Sequence, residues 1–352
     1  MRGSKLAAFI IMLTITALVL LLLTGFRQNL LANGSAYISS VLDTHLTQDA
    51  IAENKGRIID RENLEWPALP ADAEEMLAHW ENPQEAENSL ESIYYLIYNG
   101  KDGIANLESR ELLGIHSGGF NAKDGIRDLY AKKGHDVYIT ISGAFTGKLY
   151  HALKSSGAVN GSAVLSNYKT GEILAWASFP SDSDLFSPAA GNESAASVQP
   201  YQLSLLISSV ANNGKASRPY IVSRVVSRED GGVIQGVTYD IPGYLDSPYL
   251  DLTRRDAPQL KAFMKGVCAE GGKAAELGAA MKKIGYTAAA QTGSAAVLHT
   301  GASISWVACF LEEKPFVLTV ALQGAGIAAP VKIAADMLPV AVEMNLDSPQ
   351  FP

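Results

Sequence analysis

Gly161-Ser162-Ala163-Val164-Leu165-Ser166-Asn167-Tyr168-Lys169-Thr170-Gly171-Glu172-Ile173-Leu174-Ala175-Trp176-Ala177-Ser178 reads as strand, turn and strand. Tyr168-Lys169-Thr170-Gly171 is the turn, with Gly where a hairpin often needs a positive φ. Upstream, Val137-Tyr138-Ile139-Thr140-Ile141 is β-rich, and residues 144–155 read as a helix. Downstream, residues 179–198 form a loop rich in Ser, Asp, Pro and Ala. Residues 200–212 then read as a helix. Pro200 stands at its start, where a missing amide donor costs nothing, and Asn213-Gly214 ends it. Residues 219–227 and 232–236 suggest a second hairpin through Asp230-Gly231-Gly232. Two helical stretches over 257–280 are split by Gly271-Gly272. Strands are expected at 288–297, 303–311 and 316–323, and an amphipathic closing helix at 329–344. This order predicts an α+β fold, an antiparallel sheet flanked by helices.

The N-terminal third differs. Residues 6–25, LAAFIIMLTITALVLLLLTG, carry no charge. At about 1.5 Å per residue they span roughly 30 Å, the thickness of a bilayer core. Arg2 and Lys5 favour a cytoplasmic N-terminus, against a weaker opposing signal from Arg27. The run is longer than the apolar region of a cleaved signal peptide, and no clear A-x-A follows it. A single-pass anchor with an extracytoplasmic C-terminal part is expected. Residues 28–54 read as a stalk and Gly56–Arg61 as a short strand. Residues 72–98 read as a helix with Met76, Leu77 and Trp80 at helical spacing, and 107–130 as a mixed region.

Composition limits the function. The 352 residues carry a net charge of -8, with 47% hydrophobic and 18% charged residues, which is ample for a packed core and unsuited to nucleic acid. The six His are scattered, with no CxxC or HExxH spacing, so neither a metal nor a cofactor is expected. Cys268 and Cys309 sit in apolar stretches, as a disulfide or as two buried thiols, the latter favoured.

Several motifs in order resemble class B penicillin-binding proteins, the peptidoglycan transpeptidase family. Gly161–Ala175 is similar to their opening hairpin, followed fittingly by Phe179-Pro180-Ser181. Gly56-Arg57-Ile58-Ile59-Asp60-Arg61 resembles the "GRIxDR" element of their pedestal, and His135–Ile141 the strand entering the transpeptidase domain. Val198-Gln199-Pro200-Tyr201-Gln202-Leu203 and Ala211-Asn212-Asn213-Gly214-Lys215 resemble the helix ending "ANGG", and Arg218-Pro219-Tyr220-Ile221-Val222 the strand after it. Gly271-Gly272-Lys273-Ala274-Ala275 is similar to "GTGKAA", and Ser305-Trp306-Val307-Ala308-Cys309-Phe310 to "AWFVGF". Ala290-Gln291-Thr292-Gly293-Ser294-Ala295 stands where the family has "GKTGTA".

The resemblance implies acyl transfer by a Ser-x-x-Lys pair, completed by Ser-x-Asn and a Lys-Thr-Gly strand. Here those parts are missing. No Ser-x-Asn occurs, the interval before Pro200 holds no S-x-x-K, and Gln291 replaces the Lys of Lys-Thr-Gly. The remnant is Gln291, Thr292, Gly293 and Ser294, an edge strand that could still take an extended peptide but is more simply read as sheet structure. The one S-x-x-K string, Ser166-Asn167-Tyr168-Lys169, coincides with the hairpin turn, where Ser and Lys need not share a face as they would on a helix. It is kept only as an alternative nucleophile pair. Trp176 and Trp306 are read as core, and Arg57, Asp60 and Arg61 as ordering the pedestal through ion pairs.

The organisation expected is a cytoplasmic N-terminus (1–5), a transmembrane anchor (6–25), a stalk and pedestal (26–135), and a shortened penicillin-binding transpeptidase-like domain (136–352). The expected function is a noncatalytic scaffold or regulator in peptidoglycan synthesis or cell division, in the cell membrane. The partner implied by the resemblance is a SEDS-type glycosyltransferase or another wall-synthesis protein. The alternatives are a residual D,D-transpeptidase or β-lactam-binding protein acylated on a non-standard serine, and a noncatalytic sensor of the peptidoglycan stem peptide.

Overall fold

A computed structural model describes residues 55–67, 93–94, 96–98, 103–112, 133–180, 200–215, 217–237, 249–296 and 303–348; of 109–110 and 249–254 it describes the backbone alone. The expected anchor at 6–25, the stalk at 28–54, most of the helix at 72–98 and the loop at 181–198 lie outside the described residues. Among the described residues no helix is long and apolar enough to cross a membrane. All described residues belong to one compact unit, made of residues 55–119 and 133–352.

Strands β1 (Arg57–Ile59) and β2 (Glu65–Pro67) come first, then short helices α1 (Ile104–Leu107) and α2 (Ser109–Leu112), then β3 (Asp136–Ile139). Helix α3 (Gly143–Ser155) leads into the hairpin of β4 (Asn160–Asn167) and β5 (Ile173–Phe179). Next are α4 (Pro200–Ala211), β6 (Val222–Val226), β7 (Val233–Gln235), α5 (Tyr249–Cys268) and α6 (Ala275–Lys283). The chain then runs through β8 (Ala288–Ala296), β9 (Ser303–Leu311), β10 (Phe316–Gln323) and α7 (Ala328–Glu343). The first α5 turns were not foreseen. The sequence suggested a start at Ala257 just before Pro258, whereas the helix extends back to Tyr249 and holds Pro258 inside it.

The strands make two five-stranded sheets. One, in the order β5-β4-β10-β9-β8, is antiparallel throughout. Strand alternation gives it two apolar faces. Phe316, Leu318, Val320 and Leu322 of β10 pack with Phe145 and Leu149 of α3, Met281 of α6 and Leu338 of α7. Val317 of the same strand packs on the other face with Ile207 and Val210 of α4, Met264 of α5, Ala289 and Phe310. Each large side chain so buried contributes about 1.5–3 kcal/mol, and the helices thereby fix the register of every strand.

The second sheet has the order β2-β1-β3-β6-β7. Its β1 and β3 pair in parallel, Ile58 against Val137 and Ile59 against Tyr138, so one sheet holds strands from both sides of residue 136. Glycine permits the close approach here, since a Cβ on Gly56 would overlap the carbonyl oxygen of His135. Ion pairs then tie the strands. Arg57 reaches Glu65 at 2.5 Å and Asp136 at 2.6 Å, and Arg61 lies 3.7 Å from Glu172. Arg57 and Arg61 thus order this region through ion pairs as the sequence suggested, whereas Asp60 does so by accepting the Glu62 and Leu64 amides.

Candidate functional site

The remnant of the Lys-Thr-Gly strand lies on β8, at the end of the antiparallel sheet. Gln291, Thr292, Gly293 and Ser294 stand opposite Ala308, Val307, Trp306 and Ser305 of β9. Alternation sets Gln291 and Gly293 on the face of Ala289, toward α4 and α5, and Thr292 and Ser294 on the other. Gln291 is half-buried. Its amide nitrogen reaches only the Thr292 carbonyl, at 3.5 Å, and its Oε1 is enclosed with no partner among the described residues. Gly293 lets the Trp306 indole lie flat on the strand, since a Cβ there would fall 2.5 Å from Cζ2. Trp306 is partly buried and Trp176 buried, so both act as packing residues.

A row of side chains crosses the sheet from Trp176 through Val164, Thr319 and Ala308 to Gln291. In the next row Ser178 faces Ser162. The hydroxyls of Thr319, Ser162 and Ser178 are buried and, like Gln291 Oε1, have no partner among the described residues. Four enclosed hydroxyl and amide groups thus sit among apolar neighbours on this face, and among the described residues these two rows carry no charged side chain.

Ser166 and Lys169 are not brought together on one helical face. Ser166 is on β4, 3% exposed, with its hydroxyl 2.9 Å from that of Ser204 on α4. Lys169 is exposed on the turn, where its amide and that of Thr170 donate to Asn167 Oδ1. Ser166 therefore holds α4 to the sheet. Ser166→Ala should cost about 1 kcal/mol, because it strands the Ser204 hydroxyl; urea denaturation of both proteins measures this, and an unchanged midpoint would contradict that role.

The two cysteines are free and buried. Burial pushes the Cys268 thiol up to about 12 and also raises that of Cys309, so neither supplies a thiolate near neutrality.

One polar cluster was missed by the sequence reading. Ser142 caps α3, accepting from the Phe145 amide at 3.1 Å, which contributes about 1 kcal/mol. Glu62 adds a second cap from the turn after β1. Its carboxylate accepts from Ser142 Oγ at 2.5 Å and from the Gly143 amide at 3.0 Å. A carboxylate at a helix N-terminus is favourable by about 0.3–1 kcal/mol. The available signal was an acidic residue after the Asp60-Arg61 turn and a Ser before an apolar helix. Nothing in the sequence places them side by side.

No protein-family model and no curated protein matches the chain. Solved structures do. The D,D-transpeptidase domain of a peptidoglycan glycosyltransferase from Eggerthella lenta aligns with a TM-score of 0.53 at 12% identity, over 82% of this chain and 98% of that one. Penicillin-binding protein 3 from Mycobacterium tuberculosis aligns with a TM-score of 0.51 at 15% identity, over 83% and 96%. The aztreonam complex of the same protein aligns with a TM-score of 0.52 at 13% identity, over 83% and 96%. The chain has the penicillin-binding transpeptidase fold.

Proposed function

We propose that this chain is a noncatalytic member of the peptidoglycan-synthesis apparatus, a scaffold or regulator on the transpeptidase plan. The observation that carries the reading is the replacement at Gln291, on the edge strand β8, of the lysine expected there. It is joined by the absence of S-x-x-K between β5 and α4 and of Ser-x-Asn anywhere in the sequence. Loss of a nucleophile and its base costs up to about a millionfold in rate, and each decade is about 1.4 kcal/mol of transition-state stabilisation. The enclosed hydroxyls of Thr319, Ser162 and Ser178 and the amide of Gln291 are neutral groups and do not replace that.

The proposal includes the anchor at 6–25, an extracytoplasmic C-terminal part, a pedestal before residue 136, and a partner that is a SEDS-type glycosyltransferase or another wall-synthesis protein. Exchange of residues 1–54 should abolish co-purification with that partner. A second reading rests on the position of β8 at the sheet end. An extended stem peptide could add there as a strand, making the protein a sensor; saturable binding of muropeptide stems would favour it.

The direct test is incubation of the purified full chain with a fluorescent penicillin, with an active transpeptidase as control. No covalent band is expected from the folded protein. A band mapped to a single serine, Ser166 and Ser294 included, would overturn the noncatalytic reading in favour of a residual acyl-enzyme.

A further inference from the structure

Strand β8 divides into a covered half and an open one. Ala288, Ala289 and Ala290 are buried with residues of α5 and α6, whereas Ser294, Ala295 and Ala296 are exposed. The Glu312 amide donates to the Thr287 carbonyl at 3.1 Å, which sets the phase of the β8–β9 ladder. Gln291, Gly293 and Ala295 therefore turn their backbone groups toward β9, and Thr292, Ser294 and Ala296 turn theirs outward. Because β8 ends the sheet, the outward groups meet no further strand among the described residues. Such a row is a template for an added strand.

The edge has a direction and a stop. The sheet is antiparallel throughout, and an added strand that keeps the pattern runs from Ala296 toward Thr292. Its C-terminal group then comes to rest beside Gln291, where Met264 of α5 begins to cover the strand at Ala289. The surroundings there are neutral, since β8, β9 and β10 contain no charged residue. Two cations of α5 are engaged toward the covered end, Lys261 over the Phe310 ring and Lys265 at 2.6 Å from Glu312. Gln291 itself is loosely held. Its Nε2 reaches the outward carbonyl of Thr292 only at 3.5 Å, and its Oε1 is an acceptor without a partner among the described residues.

We propose that the outer edge of β8 takes an extended peptide whose C-terminal group is an uncharged carboxamide, not a carboxylate. The inference rests on the reading of the protein as a stem-peptide sensor and names the ligand class of that same site. A carboxamide carries both a donor and an acceptor, which match the Oε1 and Nε2 of Gln291. An arriving peptide amide takes over the Thr292 carbonyl and releases Nε2 for that pair. A carboxylate has acceptors only. It leaves the Gln291 oxygen unmatched and gives up hydration with no cation to compensate.

The test is an anisotropy titration of the purified full chain with two N-terminally fluorescent stem peptides, identical except that one ends in a free carboxylate and the other in a carboxamide. Wild type should bind the carboxamide several-fold tighter, with little dependence on salt. Gln291→Lys should reverse the order, and its affinity for the carboxylate should fall as salt is raised, as a screened ion pair does. Equal binding of the two peptides by wild type, or a preference for the carboxylate, overturns this inference and leaves the sensor reading standing. No saturable binding of either peptide overturns both. A carboxamide preference that persists in Gln291→Lys overturns the role of Gln291. Should that variant fail to fold, Gln291→Ala decides: it should lose most of the preference, and an unchanged preference overturns the proposal.

Discussion

Gly171→Ala should destabilise the protein by about 3 kcal/mol or more, seen as a lower urea midpoint with an unchanged slope. Two costs combine. Gly171 has φ of 89°, a conformation that costs an L-residue roughly 1–2 kcal/mol. A Cβ there would also overlap the Arg218 carbonyl oxygen, and forced overpacking adds typically about 1–3 kcal/mol. The neighbour cannot simply retreat. The Tyr220 amide donates to the Gly171 carbonyl at 3.0 Å, and the Ile173 amide to the Tyr220 carbonyl at 3.0 Å. Ser217 Oγ also bonds the carbonyls of Tyr168 at 3.1 Å and Lys169 at 2.9 Å. Moving 217–220 away therefore breaks the seam that joins the hairpin to the segment after α4. The experiment also tests the reading of Lys169-Thr170-Gly171 as a turn held by its neighbours. A structural turn predicts a large loss of stability. Change below about 1 kcal/mol would show that the turn is not held as described.

This turn illustrates what was legible in the sequence and what was not. A Gly after Tyr168-Lys169-Thr170 announces a hairpin, and its positive φ follows from local chemistry alone. The same holds for Asn213 and Gly214, with φ of 56° and 81°, at the end of α4. Strands β4, β5, β8, β9 and β10 and the closing helix α7 were legible because each is a single run with its own apolar pattern. The candidate site was legible only by position. The string Ala290–Ala295 located the edge strand, but neither the closure of the Trp306 ring on Gly293 nor the enclosure of the Gln291 oxygen, without a partner among the described residues, is encoded locally. Ser166-x-x-Lys169 shows the limit most clearly. Spacing suggests a pair, yet burial of Ser166 against Ser204 depends on α4, thirty-eight residues on. The parallel pairing of β1 with β3 is equally non-local, because the partners Ile58 and Val137 share no sequence signal. Long-range contacts of charge and backbone, not propensity, decide such pairings.

The ion pairs that secure that parallel seam carry the second large expectation. Asp136→Ala should cost about 2–3 kcal/mol, and Asp136→Asn less. The carboxylate is 8% exposed and serves both strands. Its Oδ1 accepts from the Arg57 backbone amide at 3.0 Å and Arg57 Nε at 3.3 Å, and its Oδ2 from the other end of the guanidinium at 2.6 Å. Arg228 approaches Oδ1 at 3.7 Å and bonds the Lys55 carbonyl. Removing one partner of a buried pair typically costs about 3–5 kcal/mol, since the other charge is left unpaired. Here the Arg57 side chain is 37% exposed and keeps its pair with Glu65, so part of that loss is recovered and the expectation is set lower. Asparagine keeps an acceptor for the Arg57 amide while losing the charge, which is why its effect is smaller. A double-mutant cycle with Arg57→Ala isolates the coupling: if Asp136 acts through Arg57, the double variant should be little worse than Asp136→Ala alone. Strict additivity would instead assign the stabilisation to Arg228 or to the backbone amide. Either result bears on the fold, because the β1–β3 pair is described over only two residue pairs, too few backbone bonds to hold two strands together by themselves. The carboxylate supplies, through one side chain, the cross-strand hydrogen bonds that so short a ladder lacks.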